Sequence, residues 1–142
     1  MPITYNETQK ALPSGQLHKL FVAVGWSDGS DTPEMIGNYN IPFIHSTLVI
    51  SAWEDERLVG AVRALSDTMF RSVIYDLLVL PEFQNRGIGK ELLRRCIAHY
   101  PKSEWLAGTE KHIAGYYEKN GFMAIKDGVF LSIPCKLFTR ND

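Results

Sequence analysis

Between Ser72 and Tyr100 the chain passes from an apolar run, Ser72 to Leu80, through Pro81 and the glycine pair Gly87 and Gly89, into a segment with a single apolar face. Pro81 has no N–H with which to continue a ladder, so it closes the strand. From Gly87 to Tyr100, the residues Ile88, Leu92, Leu93, Cys96, Ile97 and Tyr100 recur at helical spacing, while Lys90, Glu91, Arg94, Arg95 and His99 take the other side. A buried strand turning directly into an amphipathic helix requires a sheet with that helix packed on it.

The remaining periodicities surround this unit. They predict a short strand at Ile3 to Tyr5 and helices at Gly15 to Val24 and Pro33 to Ile44, separated by the turn-rich loop from Gly25 to Pro33. Strands follow at Leu48 to Trp53 and Leu58 to Leu65, joined as a hairpin by Glu54 to Arg57. After the amphipathic helix come a strand at Glu104 to Ala107, a helix at Lys111 to Lys119 stopped by Asn120 and Gly121, and strands near Phe122 to Ile125 and Val129 to Cys135. The class is α+β, with a mixed, mostly antiparallel twisted sheet flanked by about four helices.

The 142 residues carry no repeat and no linker, so residues 1–142 are expected to form one domain. A net charge of −1 supplies no general attraction to nucleic acid or to an anionic membrane. No apolar run is long enough to span a bilayer, and the first ten residues lack a signal core. Cys96 and Cys135 lack metal or redox spacing, and His18, His45, His99 and His112 show no metal pattern, so no metal is expected. A reducing cytoplasm fits, and a homodimer is compatible with everything in the chain.

The turn from Gln84 to Lys90 is suited to an anion. The first amides of a helix lack internal partners and sit at the positive end of its dipole. Gly87 and Gly89 open the backbone to close approach, and Arg86 and Lys90 add full charges. A nucleotide P-loop does not fit, because Glu91 stands where a hydroxyl would hold magnesium and the spacer between glycines is too short; a dinucleotide fingerprint lacks its third glycine.

The segment Gln84-x-x-Gly87-x-Gly89, preceded by Val79-x-Pro81 and followed about thirty residues later by Tyr116-Tyr117-Glu118-Lys119-Asn120-Gly121-Phe122, resembles the two signature segments of the GNAT superfamily of N-acetyltransferases. The resemblance implies a GNAT-like fold splayed between its fourth and fifth strands. It also implies that acetyl-CoA is the cosubstrate, with its diphosphate on the amides of Arg86, Gly87, Ile88, Gly89 and Lys90. Gln84 and Asn85 belong to the same binding turn, and the backbone of Leu77, Leu78 and Val79 would lie along the pantetheine arm. Many members carry Asn seven residues before the second tyrosine, where this chain has Glu110.

Transfer to an amine requires a neutral nucleophile, a donor for the developing oxyanion and a proton for the leaving thiolate. An alkylamine of pKa near 10.4 costs roughly 4 to 5 kcal/mol to deprotonate at pH 7, so a base matters. Asp76, the one carboxylate within the apolar run, is the candidate; the alternatives are an Asp satisfied by backbone N–H groups or one that orients the substrate. The resemblance implies that Tyr117 is the acid beside the sulfur and that the Val79 N–H is the oxyanion donor. Cys96 lies on the apolar helix face, which favours direct transfer in a ternary complex over an acyl-cysteine. On the acceptor side, Phe21, Trp26, Tyr39 and Phe43 with Asp28, Asp31 and Glu34 could receive an aromatic cation, and Arg63, Ser66 and Asp67 are further candidates. The leading expectation is an enzyme acetylating a primary amine of a small molecule. A protein or peptide N-acetyltransferase and a non-catalytic acyl-CoA-binding regulatory module are the alternatives.

Overall fold

The hairpin foreseen at Glu54 to Arg57 lies at the centre of the computed structural model, which describes residues 2–137. Strand β2 (Leu48–Glu54) pairs antiparallel with β3 (Arg57–Ser66), and β3 pairs antiparallel with β4 (Arg71–Val79). The outer positions belong to β1 (Thr4–Asn6), antiparallel to β2, and β5 (Glu104–Ala107), parallel to β4. Strand order is β1-β2-β3-β4-β5. A parallel pair needs a crossover, and helix α4 (Ile88–His99) provides it.

The core forms because β2 and β3 are apolar on both faces. Val49, Ile50, Ala52, Val59, Ala61, Val62 and Ala64 are all buried. Helix α4 covers one face with Ile88, Leu92, Leu93 and Cys96, and α1 (Ser14–Ala23) contributes Leu17 and Leu20 to the core. At Gly60 a Cβ would stand 3.1 Å from the Leu78 carbonyl and 3.3 Å from Leu92 Cδ1, so a glycine there lets α4 seat on the sheet.

Two expectations are corrected. The helix expected from Pro33 to Ile44 is two short helices, α2 (Pro33–Gly37) and α3 (Ile41–Ile44). Pro42 is the cause: it cannot donate back to Asn38, and its ring crowds that carbonyl, so a new helix starts with proline in its first turn. The strands expected near Phe122 to Ile125 and Val129 to Cys135 do not form; residues 122–137 carry no regular structure. Val129, Leu131 and Ile133 alternate as a strand would, yet all three are exposed. Alternation makes a strand only where a partner edge and a surface to bury against are both at hand, and among the described residues this segment pairs with no strand edge.

Candidate functional site

The splay begins at a bulge. β3 and β4 run in register from Gly60↔Val79 to Arg63↔Asp76 and resume at Ala64↔Ile74, which leaves Tyr75 as an extra residue on β4. The extra residue increases local twist and bends the strand. Pairing of β4 with β5 stops at Ile74↔Ala107, immediately before that point. Beyond it, Tyr75 to Val79 have β3 on one side and an open edge on the other.

Strand alternation defines that open edge. The Leu80 N–H donates to Val59 O on β3 (2.9 Å), so one residue earlier the Val79 N–H and carbonyl point away from β3. Gln84 confirms the direction: its side-chain Nε2 donates to Val79 O (3.0 Å). The Val79 carbonyl is thereby satisfied, while its N–H faces the opening.

The turn into α4 uses two left-handed residues, Asn85 (φ 64°) and Gly87 (φ 80°). Gly87 occupies the position before the helix and has nothing within 4 Å of where a Cβ would be, so its glycine serves the backbone angle. Gly89 differs: a Cβ there would meet the Tyr116 hydroxyl at 2.5 Å. Its missing side chain makes room for another residue of this chain, not only for a ligand as the turn alone suggested.

These elements enclose one cavity of about 990 Å³. From β4 it takes Tyr75, Asp76, Leu77 and Val79; from the turn and α4, Phe83, Gln84, Asn85, Gly87, Ile88, Gly89 and Lys90; and from α5 (Ala114–Lys119), Tyr116 and Tyr117. Two of the residues expected to hold the cosubstrate do not reach the cavity with their side chains. Leu78 is fully buried in the core, and the Arg86 guanidinium stacks over Phe83 at 5.0 Å.

Tyr117 is held by the end of its helix. The Phe122 N–H donates to Tyr117 O (3.1 Å), Gly121 takes φ 96°, and the Phe122 ring meets Tyr117 edge-on at 5.4 Å. Burial pushes its phenol above the usual value, and the charges of Tyr116 and Asp76 add to that. Asp76 is not the isolated carboxylate that the apolar run suggested: Arg63 Nε donates to Asp76 Oδ2, both side chains being largely buried. Arg63 in turn lies over the rings of Tyr75 (5.2 Å) and Phe43 (5.8 Å).

On the acceptor side Trp26 reaches the cavity wall, its ring against Phe21 at 5.8 Å. Asp31 does not present a free charge. Its Oδ2 accepts from Ser27 (2.5 Å), Tyr39 (2.9 Å) and His18 Nε2 (3.0 Å), which fastens the loop to α1. Asp67 accepts from the amides of Met69, Phe70 and Arg71 and shapes the β3–β4 turn away from the cavity. Glu110 lines the cavity, 3.3 Å from His112 Nδ1. Tyr75, Gly108, Thr109, Ile113 and Phe130 line it as well, and sequence reasoning missed them as site residues. Tyr75 reaches the wall through the bulge, which no local pattern announces; Gly108 and Thr109 could have been found as the residues directly after the splayed strand. Among the described residues no group of His, Cys, Asp or Glu is placed to hold a metal, and no helix is long and apolar enough to cross a membrane.

Known proteins share this arrangement. The family model described as the acetyltransferase (GNAT) domain matches residues 45–124. The N-acetyltransferase ycf52 of Porphyra purpurea is 30% identical over 132 residues, spanning 88% of this chain and 73% of its own. The chloroplastic GCN5-related N-acetyltransferase 1 of Arabidopsis thaliana is 28% identical over 86% of this chain and 62% of its own. Among solved structures, a GNAT family acetyltransferase of Streptococcus pneumoniae superposes with a TM-score of 0.77 at 25% identity, covering 95% of this chain and 99% of that one. An aminoglycoside acetyltransferase from a soil metagenome, in complex with sisomicin, has the same fold with a TM-score of 0.72 at 19% identity, covering 94% of this chain and 97% of that one. The strand-to-helix turn, the splayed edge and the match over more than half of the sequence lead to one conclusion: this chain belongs to the GNAT family and is an acetyl-CoA-dependent N-acetyltransferase.

Proposed function

We propose that residues 1–142 act as one acetyltransferase domain that passes the acetyl group directly to a primary amine of a small molecule, within a ternary complex. The observation that carries this reading is the convergence of Tyr117, Asp76, the free Val79 N–H and the first turn of α4 on one cavity. Its volume of about 990 Å³ lies at the upper end of the range for small-molecule sites, roughly 300 to 1,000 Å³. Trp26 and Phe130 add apolar ring surface to its lining, which favours a small acceptor with an apolar part.

The residues fit acetyl-CoA. The amides at the start of α4, with Lys90 beside them, would hold the diphosphate, and the open edge from Leu77 to Val79 would pair with the pantetheine amides like an added strand. Bound there, the cosubstrate supplies an activated thioester. Asp76 has one carboxylate oxygen on Arg63 and, among the described residues, no partner on the other. That second oxygen would orient the ammonium and take a proton from it, freeing the lone pair before nitrogen bonds to the carbonyl carbon; that proton passes to solvent, as does the second one shed as the tetrahedral intermediate collapses. The Val79 N–H donates to the carbonyl oxygen as charge builds on it. Tyr117 gives its proton to the sulfur as the carbon–sulfur bond breaks, and regains one from solvent through the cavity. A raised phenol pKa keeps that proton in place at neutral pH.

Cys96 is buried and its thiol is pushed up to about 12, which supports direct transfer over an acyl-cysteine route. Two free cysteines suit a reducing compartment such as the cytoplasm. The test is thiol release from acetyl-CoA with polyamines, arylalkylamines, aminoglycosides, amino acids and peptides as acceptors. Turnover with a small amine is expected. Turnover with peptides alone would make the protein-acetylating alternative correct, and coenzyme A binding with no turnover on any acceptor would make it the regulatory module.

A further inference from the structure

Both tyrosines of α5 line the cavity, with their rings edge-on at 5.7 Å. Their surroundings differ. The charge of Asp76 reaches Tyr117, whereas Tyr116 projects onto the first turn of α4. A Cβ at Gly89 would stand 2.5 Å from the Tyr116 hydroxyl, and at 3.7 Å the same position meets Val79 Cγ2. The hydroxyl therefore lies between the splayed strand and the helix start, against the backbone of the second residue of α4.

The Tyr116 carbonyl accepts from Asn120 Nδ2 (2.8 Å), while its hydroxyl, on a residue 38% exposed, makes no hydrogen bond to another described residue. Burial raises its pKa, so it is a neutral donor at physiological pH. For packing alone, phenylalanine here with alanine at position 89 would fill the space equally well. A hydroxyl set against the helix start, with no partner in the described chain, is free to donate to a ligand oxygen held at that turn.

We propose that the Tyr116 hydroxyl donates a hydrogen bond to the diphosphate of coenzyme A at the first turn of α4, and that position 89 is glycine to admit that hydroxyl. The assignment rests on the acetyl-CoA reading of the same turn. Tyr117 is then the residue at the sulfur and Tyr116 the residue at the diphosphate, one helix serving both ends of the cosubstrate.

Titration calorimetry of coenzyme A into wild type, Tyr116→Phe and Tyr117→Phe tests this, with inorganic diphosphate as a competitor and melting midpoints as the folding control. Loss of one hydrogen bond to a charged oxygen predicts affinity for coenzyme A about tenfold weaker in Tyr116→Phe. Inorganic diphosphate should compete less well by a similar factor, and Tyr117→Phe, altered at the sulfur end, should leave the affinity for inorganic diphosphate unchanged. Wild-type affinity in a folded Tyr116→Phe overturns the assignment while the acetyl-CoA reading stands. A loss for coenzyme A without a loss for inorganic diphosphate places the hydroxyl elsewhere on the cosubstrate and overturns it too. No binding by wild type removes the acetyl-CoA reading and this assignment together.

Discussion

Gly89→Ala should change the sign of its effect on stability according to what stands at position 116. The built Cβ lies 2.5 Å from the Tyr116 hydroxyl oxygen, about 0.9 Å closer than ordinary contact, and the next atom, Tyr116 Cζ, lies at 3.5 Å, which is ordinary contact. In the presence of the hydroxyl, the ring must either swing toward solvent and lose its contacts or be overpacked, at a cost on the order of 1 to 3 kcal/mol. Without it, only the helical preference for alanine over glycine remains, roughly 0.5 to 1 kcal/mol in favour of the substitution. A double-mutant cycle of wild type, Gly89→Ala, Tyr116→Phe and the double variant, followed by urea unfolding, should give a coupling of about 1 to 3 kcal/mol, with Gly89→Ala destabilising in the tyrosine background and stabilising in the phenylalanine one. Equal shifts in the two backgrounds, within roughly 0.5 kcal/mol, would show that the hydroxyl does not occupy the glycine's space.

Further outcomes follow from the site and its surroundings. Tyr117→Phe should lower kcat about a hundredfold with little change in affinity for acetyl-CoA. Because its phenol is raised above 10.0, wild type should retain its acid up to at least that pH; an alkaline loss of kcat with a midpoint below 10, absent from the variant, would contradict that. Under native conditions a thiol reagent should modify exposed Cys135 rapidly and buried Cys96 only after unfolding, one thiol before denaturant and two after. Glu91, held at about 2 by hydrogen bonds from Arg94 and then Arg95, has a depressed folded pKa. Its stabilisation is thus complete above 4.5, its ordinary value, and is lost as pH falls from there toward 2. Screening near the surface limits it to about 1 kcal/mol; wild type and Glu91→Gln, compared by thermal unfolding, should differ at pH 6 and converge near pH 2.

The strand–turn–helix unit was legible before any coordinates because every signal in it is local. Pro81 removes a donor, Gly87 permits a left-handed angle, and the apolar positions from Ile88 to Cys96 repeat at the helical period. Each acts over a few residues, so the chain carries it wherever it lies. The position of α4 follows from those signals, and equally local ones at Glu54 to Arg57 give the hairpin.

Contacts between distant segments left no such trace. The bulge at Tyr75 that opens the sheet, the Arg63 partner of Asp76, the three donors gathered on Asp31 and the Tyr116 hydroxyl against Gly89 each join residues whose meeting depends on how the whole chain packs. The segment from Val129 to Ile133 shows the same limit from the other side, since its strand-like alternation is real and no strand among the described residues pairs with it. Periodicity states which face of an element prefers to be buried; a long-range contact depends on which surface arrives to bury it, and that is a property of the assembled chain.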